Sequence, residues 1–198
     1  QVSELLKEFA HTSFGGRSLG ESADVLEAMI RDPECLVVGT FSGAMTFAKQ
    51  GLLLCEMIER GYLQAIISTG ALMAHGLVEG SGRTHFKHNP RMDDVALYHK
   101  GYDRVYDTLE LERNLDDVDE LLRASISELP EETVLHSELI FREVGRHLET
   151  HMPASIRAIL RSAYKYQVPV YVPAFTDSEL GMDVAIHNHL RIRRGLSP

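Results

Sequence analysis

Short apolar runs alternate with helical patterns along most of the chain. The runs at residues 35–39, 65–68 and 168–172 have the length and composition of buried strands. Each run is followed by a few small or polar residues and then by apolar positions at helical spacing. This alternation predicts right-handed βαβ crossovers, and therefore an α/β, Rossmann-like fold with a mostly parallel sheet flanked by helices.

The helical pattern is clearest in the second half of the chain. Apolar residues recur at helical spacing over residues 115–129, and Pro130 marks the end of that helix. Two more helices are predicted over residues 137–149 and 155–166. Residues 80–90 are rich in Gly and His and have no periodicity, so they predict a loop.

The first predicted helix lies near the amino terminus. Ser18 and Glu21 have the spacing of a capping box, and Val25 starts an apolar helical face behind them. Pro33 cannot continue a helix, so the pattern ends before it. These features together predict a helix that begins at about residue 18.

Composition and chain length fit one globular domain. The 198 residues are 44% hydrophobic and 25% charged, which predicts a single α/β domain over residues 1–198. No apolar run reaches the roughly 18 residues of a membrane span, so we expect no membrane association. The sequence starts with neither an initiator Met nor a signal peptide, so we expect part of a longer, cytoplasmic protein. Cys35 and Cys55 are expected to be buried and reduced, which agrees with that compartment.

The net charge of −9 bears on the choice of partner. It argues against nucleic acid, because phosphate contacts need clustered Lys and Arg, and only residues 191–194 form a basic run. An acidic surface favours a cationic small molecule such as a polyamine. That preference is weak, since many cytosolic proteins are acidic.

Small or polar residues follow three of the predicted strands. They are Ser42-Gly43-Ala44, Thr69-Gly70-Ala71 and Thr176-Asp177. Ligands of parallel α/β sheets bind beyond the carboxyl ends of the strands, where small side chains let a pyrophosphate approach helix amides. Asp177 suits a ribose, whose hydroxyls donate to a carboxylate. The other interpretation of each loop is a tight turn without a ligand, because neither a GxGxxG nor a Walker sequence is present.

Histidines supply an alternative kind of site, a metal centre. The candidate ligands are His85 with His88, or His187 and His189 with Asp183. Residues two apart on a helix do not share a face, and the first pair has no Cys or carboxylate at ligand spacing. We therefore predict no metal. His75, early in a helix beyond the second of the three loops, is better placed for a functional role.

Four blocks of the sequence resemble the deoxyhypusine synthase family, and their residues are most similar to those of its bacterial members. The first three are Phe14-Gly15-Gly16-Arg17-Ser18-Leu19, residues 38–42, and Ile67-Ser68-Thr69-Gly70-Ala71. The fourth covers residues 170–181, and its core, Pro-Ala-x-Thr-Asp-x-x-Leu-Gly, is the most specific motif in the chain. The blocks follow one another in the family's order from about residue 14 to residue 187.

The resemblance implies a Rossmann-like NAD domain, a homotetramer with active sites between subunits, and aminobutyl transfer. Enzymes of this family oxidise spermidine with NAD and pass the aminobutyl group, through an enzyme lysine, to a lysine of a translation factor. A related branch passes the group to a second polyamine, so the acceptor is a protein lysine or a second amine. By position, the resemblance assigns amine binding to Asp183, and cofactor binding to Ser42, Gly43, Ala44, Met45, Thr46, Thr69, Gly70, Ala71, His75 and Asp177.

The sequence departs from the family pattern at the amine site. Eukaryotic members carry paired glutamates where this chain has Ala74-His75, and Met182 precedes Asp183 where an acid is expected directly after Leu-Gly. The family's nucleophilic lysine accompanies a Gly-Gly-Gly-Val segment, and no Gly-Gly-Gly occurs in this sequence, so no catalytic residue is assigned. Two hypotheses stay open: an NAD-dependent aminoalkyl transferase, and a non-catalytic NAD-binding homologue or assembly subunit.

Overall fold

The protein forms two compact units, Gln1–Val37 and Val38–Pro198. Their structure comes from a computed structural model that describes residues 1–196. Within those residues, every helix is too short or too polar to cross a membrane. The sequence-based prediction of a single domain over the whole chain stays a prediction.

The first unit is a pair of packed helices, α1 (Val2–Ala10) and α2 (Phe14–Arg31). The predicted capping box at Ser18 is wrong, because α2 begins one turn earlier. Ser18 lies inside the helix, where its hydroxyl donates to the Phe14 carbonyl. Helix α2 ends before Pro33, as predicted.

The second unit is built on a parallel sheet. Its strands are β1 (Val38–Phe41), β2 (Ala65–Ser68) and β6 (Val170–Tyr171), in the order β1-β2-β6. Strand β2 is central, since Ile66 is aligned with Gly39 on one side and with Val170 on the other. The predicted α/β fold, with a parallel sheet flanked by helices, is confirmed.

Helices connect and cover these strands. Helix α3 joins β1 to β2, and α4 begins directly after β2. The amphipathic pattern at residues 115–129 and the pattern at residues 137–149 correspond to α6 and α7. The bounds are α3 (Gly51–Glu59), α4 (Gly70–Gly80), α5 (Asp94–Tyr98), α6 (Arg113–Ile126), α7 (Ser137–His151), α8 (Ile159–Lys165) and α9 (Glu179–Arg193).

A second, antiparallel sheet goes beyond the single short strand that residues 104–106 predict. It consists of β3 (Phe86–Lys87), β4 (Tyr102–Val105) and β5 (Thr108–Leu111), in the order β3-β5-β4. Strand β3 lies within residues 80–90, so the loop predicted there is wrong at Phe86 and Lys87. Strands β4 and β5 form a hairpin, and Tyr106 in its turn has a left-handed backbone with φ of 55°.

Strand β1 starts three residues later than the apolar run that predicts it. The amide of Cys35 donates to the carbonyl of Asp32, so this residue belongs to the turn that follows α2. Cys35 is therefore only half-buried, contrary to prediction, whereas Cys55 is buried as predicted. Both cysteines are free thiols.

Local turns also shorten two elements near the carboxyl end. The amide of Val168 donates to the carbonyl of Ala163, which leaves two residues for β6. The amide of Ile156 donates to the carbonyl of Pro153 and closes a turn at residues 154–155, so helix α8 begins only at Ile159. Apolar runs alone cannot separate these turns from the elements that follow them.

The core of the second unit lies where these helices pack on one another and on the parallel sheet. Helices α7 and α8 approach closely at Gly145, where a methyl group would lie 2.3 Å from the Leu160 carbonyl oxygen. That oxygen belongs to helix backbone and cannot move away cheaply. The fully buried side chains include Leu54, Ile58, Ile66, Leu72, Leu77, Phe141, Leu148 and Leu180.

We predict that Gly145→Ala lowers the free energy of unfolding by about 2–3 kcal/mol, as overpacking against backbone does. The matched control is Gly51→Ala. Its added methyl group meets no atom within 4 Å, so the same substitution there is expected to be neutral or to stabilise by about 0.4–1 kcal/mol. Urea denaturation of the full-length protein measures both. Equal effects of the two substitutions would contradict the close packing at Gly145.

Candidate functional site

The carboxyl ends of the three parallel strands lie at one edge of the sheet. Because Phe41 is aligned with Ser68, and Ile67 with Tyr171, the segments after these strands leave the sheet side by side. We call them the first loop (residues 42–46), the second loop (residues 69–71) and the third loop (residues 173–177). They contain the residues that the sequence assigns to cofactor binding, apart from His75.

Hydrogen bonds join the first loop to the second. The amide of Gly43 donates to the hydroxyl oxygen of Thr69 over 3.0 Å, and the hydroxyl of Thr46 donates to the carbonyl of Leu72 over 3.3 Å. Thr69 is also the N-cap of α4, because its hydroxyl oxygen accepts from the amide of Leu72. One threonine side chain therefore starts the helix and holds the neighbouring loop.

Close packing joins the second loop to the third. Ser178 follows the third loop directly, and a methyl group on Gly70 would lie 2.1 Å from its Cβ atom. The Ser178 hydroxyl donates to the Phe175 carbonyl over 2.6 Å and accepts from the amide of Gly181, which caps α9. The three loops thus meet at the amino-terminal end of α4.

The predicted cofactor residues differ in how far a ligand can reach them. Thr46 is 1% exposed and its hydroxyl is used within the protein, so its side chain holds the loop in place. Gly70 is buried, and Gly43 and Met45 are half-buried. The exposed members of the set are Ser42, Ala44, Thr69, Ala71 and Asp177.

This edge of the sheet fits the pyrophosphate and ribose of a dinucleotide. Gly43 has a left-handed backbone with φ of 57°, and the space where its side chain would be is open to at least 4 Å. Helix α4 presents its first amides at the same place, and helix dipoles favour a negative group there. Asp177 lies in the exposed turn of the third loop, where its carboxylate can accept from hydroxyls.

Asp183, the predicted amine ligand, lies in a cluster of acidic side chains. It sits on α9, and its electrostatic neighbours include Asp116 and Asp119 of α6. Burial first, and then the charges of Asp119 and Glu179, raise the pKa of Asp183 to about 6, although Arg123 opposes them. The neighbouring carboxylates contribute a negative potential, which a cationic group would relieve.

A cleft of about 680 Å³ adjoins the third loop. Phe175 and Thr176 form its border with that loop, and side chains of α6, of α9 and of the segment before α7 supply the remaining walls. Arg123 and His136 also line it. The cleft is large enough for a small molecule, but it borders the loops and does not include the first or the second.

His75 belongs to a partly buried group of titratable side chains that the sequence does not predict. Its Nδ1 atom lies 2.8 Å from Oε2 of Glu110, which is 1% exposed on β5. The other carboxylate oxygen of Glu110, Oε1, lies 3.4 Å from Nε2 of His85. Glu79 and Lys49 form an ion pair, and Nδ1 of His85 lies 3.5 Å from the Glu79 carboxylate.

Burial and neighbouring side chains act in opposite directions on this group. Burial works to raise the pKa of Glu110, but the imidazoles of His75 and His85 outweigh it and hold the pKa below the ordinary value. Burial likewise works to lower the pKa of His85, whereas Glu110 and Glu79 outweigh it and hold that pKa above its ordinary value. Among the described residues, neither His85 Nε2 nor Glu110 Oε1 has a hydrogen-bond partner, although the two atoms lie 3.4 Å apart.

The histidines of the metal hypothesis do not form a metal centre in the part of the chain that the structure describes. His85 is engaged with the two glutamates, while His187 and His189 lie on α9. Within residues 1–196, no group of three or more His, Cys, Asp or Glu side chains is arranged to hold a metal ion.

Fold and loop geometry together define a parallel α/β protein whose candidate ligand site lies at the carboxyl ends of its strands. The chain belongs to the deoxyhypusine synthase family, because the model of that family matches residues 4–196. The resemblance in the four sequence blocks is thereby confirmed.

Individual relatives agree with this membership. "Probable deoxyhypusine synthase 1" of Methanosarcina mazei is 32% identical over 186 residues, which are 94% of this chain and 57% of that protein. "Deoxyhypusine synthase-like protein" of Chlorobaculum parvum is 29% identical over 198 residues, covering 96% of this chain and 56% of that protein. The chain therefore spans a little over half the length of these curated relatives.

A solved structure shares the fold. A crystal structure from Entamoeba histolytica that carries the same family name superposes with a TM-score of 0.66 at 13% sequence identity. The match covers 96% of this chain and 64% of that chain. At this identity the likeness concerns the fold alone.

We predict that Asp183→Asn changes how stability depends on pH. The folded-state pKa of about 6 lies above the value of about 3.9 in an unfolded chain, so folding disfavours the ionised form. This cost is small near pH 4, grows between about pH 4 and pH 6, and is constant above that range. Because the side chain is partly exposed, we expect Asp183→Asn to stabilise by only about 1 kcal/mol at pH 8 and by much less at pH 4.

Urea denaturation at the two pH values measures this effect. Asp103→Asn is the control, because that aspartate is exposed on β4 of the same unit. A gain in stability from Asp183→Asn that is the same at pH 4 and pH 8 would show that charge is not its cause.

Proposed function

We propose that the full-length protein is an NAD-dependent aminoalkyl transferase that acts on spermidine or a related amine. Membership of the deoxyhypusine synthase family supports transfer of an aminobutyl group. The observation that carries the proposal is the meeting of three loops at the amino end of α4, with an exposed carboxylate beside them. The acceptor is a protein lysine or a second amine, and the family resemblance favours a homotetramer.

Each part of the cofactor has a place in this proposal. The first amides of α4 and the open backbone at Gly43 bind the pyrophosphate, and Asp177 accepts from ribose hydroxyls. When bound, NAD accepts the hydride that oxidation of the amine releases. His75 lies one turn further along α4, so it faces the part of the ligand beyond the pyrophosphate.

The acidic cluster supports a cationic substrate. Burial, and then Asp119 and Glu179, disfavour the ionised form of Asp183, so an ammonium bound near them would stabilise the charges that repel one another. A desolvated ammonium without such a partner costs several kcal/mol, in rough terms. We therefore propose that the amine binds towards α9.

The second candidate function is a non-catalytic NAD-binding homologue or assembly subunit. The observation that favours it is the position of Ala74, which is fully buried and has no polar side chain. In eukaryotic members the corresponding pair of residues is acidic, so the amine site of this chain has fewer carboxylates than the family pattern implies.

We predict saturable binding of NAD to the full-length protein in isothermal titration. Asp177→Ala is expected to weaken binding at least a few-fold, because a hydrogen bond to a charged group contributes about 1.5–3 kcal/mol. Asp103→Ala, which removes an exposed carboxylate from β4, is the control and is expected to leave the affinity unchanged. An unchanged affinity of Asp177→Ala would refute the ribose contact, and a protein without NAD binding would refute the proposed function.

We also predict that spermidine is a poor donor and that a less cationic amine is a better one. The reason is that Ala74-His75 replaces the acidic pair of eukaryotic members, which leaves the cluster around Asp183 as the acid available to the amine. The assay follows reduction of NAD optically with a panel of diamines and polyamines. Efficient turnover of spermidine that Asp183→Asn does not diminish would show that other residues hold the amine.

A further inference from the structure

The buried carboxylate of Glu110 lies between two imidazoles. His75 Nδ1 is 2.8 Å from Oε2, and His85 Nε2 is 3.4 Å from Oε1, so each carboxylate oxygen faces one ring. Glu110 comes from the antiparallel sheet, while His75 comes from α4 beside the second loop. The carboxylate of Glu110 thus connects strand β5 to His75 on α4.

The contact between His75 and Glu110 sets which ring nitrogen carries the proton. A carboxylate accepts hydrogen bonds, so the ring donates from Nδ1, and in the neutral ring Nε2 then carries no proton. A carboxylate or carbonyl behind a histidine fixes its tautomer in the same way at many functional sites. The His75 side chain is 20% exposed, so the ring is accessible although its partner is not.

Glu110 and Glu79 have ionisable neighbours other than His75. Lys49 forms an ion pair with Glu79, and the His85 ring lies 3.5 Å from the Glu79 carboxylate and 3.4 Å from that of Glu110. His75 is therefore not the only donor available to the two glutamates.

The His75 ring packs on the residue that follows the first loop. The Phe47 ring lies 4.3 Å from the His75 ring and 4.7 Å from the His85 ring, measured between centroids. Phe47 follows Thr46, whose hydroxyl binds α4 at the Leu72 carbonyl. The rings are therefore held by the same segment that carries the first loop.

We propose that Glu110 is a positioning residue, which holds His75 with Nε2 as a hydrogen-bond acceptor for an N–H or O–H group of the bound ligand. This inference rests on the proposed function for the identity of that ligand. The donor is either a ribose hydroxyl of the cofactor or the nitrogen of the amine. Glu110 itself does not touch the ligand, and its effect passes through His75.

Substitution of Glu110 by Gln tests the proposal. The amide is close in size to the carboxylate but can present N–H to His75 Nδ1, which favours the opposite tautomer and removes the acceptor. We expect a roughly ten- to hundredfold loss, as for other residues that orient a functional histidine. A loss in NAD affinity identifies the ribose, and a loss confined to amine-dependent reduction of NAD identifies the amine. Glu112→Gln, an exposed change next to the end of the same strand, is the control and should have no effect.

A double-mutant cycle separates positioning from general damage. If Glu110 acts through His75, then Glu110→Gln changes the affected constant less than about twofold in a His75→Asn background, because interacting residues are not additive. A merely structural role predicts the same loss in both backgrounds, and that result would overturn the proposal.

The tautomer can be observed without any activity. In the full-length protein labelled with ¹⁵N-histidine, long-range ¹H–¹⁵N spectra distinguish protonated from bare ring nitrogens, and His75→Asn identifies the signals. We expect a protonated Nδ1 and a bare Nε2 in His75. The opposite tautomer would refute the inference even if the protein binds NAD, whereas the expected tautomer in a protein that lacks NAD binding would refute only the proposed function.

Discussion

Helix α4 and the segment before α9 meet at a point where no side chain fits. The hydrogen of Gly70 occupies this point, and a methyl group there would lie 2.1 Å from Cβ of Ser178. The hydroxyl of the preceding residue, Thr69, holds the amide of Gly43. Parallel pairing brings the three loops to one edge of the sheet, but these two contacts fix their separation. The geometry of the candidate site therefore depends on the absence of a side chain at Gly70 and on the hydroxyl of Thr69.

Strand β5 of the antiparallel sheet places the carboxylate of Glu110 against His75 of helix α4, which follows the parallel strand β2. A carboxylate removed from water costs several kcal/mol, as an order of magnitude, unless opposite charges or donors surround it. Glu110 meets this condition, because an imidazole faces each of its oxygens. The resulting group ties β5 to α4 and, through Phe47, to the segment after β1. Polar contacts of this kind specify one arrangement where apolar packing alone would allow several.

The sequence predicts the parallel sheet and its loops well, because strand ends followed by Gly, Ser and Thr are visible in one dimension. It does not predict Glu110, since the pattern Leu109-Glu110-Leu111 is typical of a strand with its polar residue facing solvent. In the structure Leu109 and Glu110 are both buried, at 3% and 1% exposure. Both faces of β5 are covered at this point, and only tertiary packing reveals it. The acidic surroundings of Asp183 are hidden for the same reason, because α6 supplies them from a distant part of the sequence.

The two-residue length of β6 has a consequence for motion at the site. Strand β2 is paired on both sides, so its amides should exchange with solvent only when much of the unit opens. Strand β6 is paired at Val170 and Tyr171, and the third loop continues from this short ladder. The first and second loops thus belong to a more cooperative element than the third. Amides of β6 and of the third loop are therefore expected to exchange faster than those of β2.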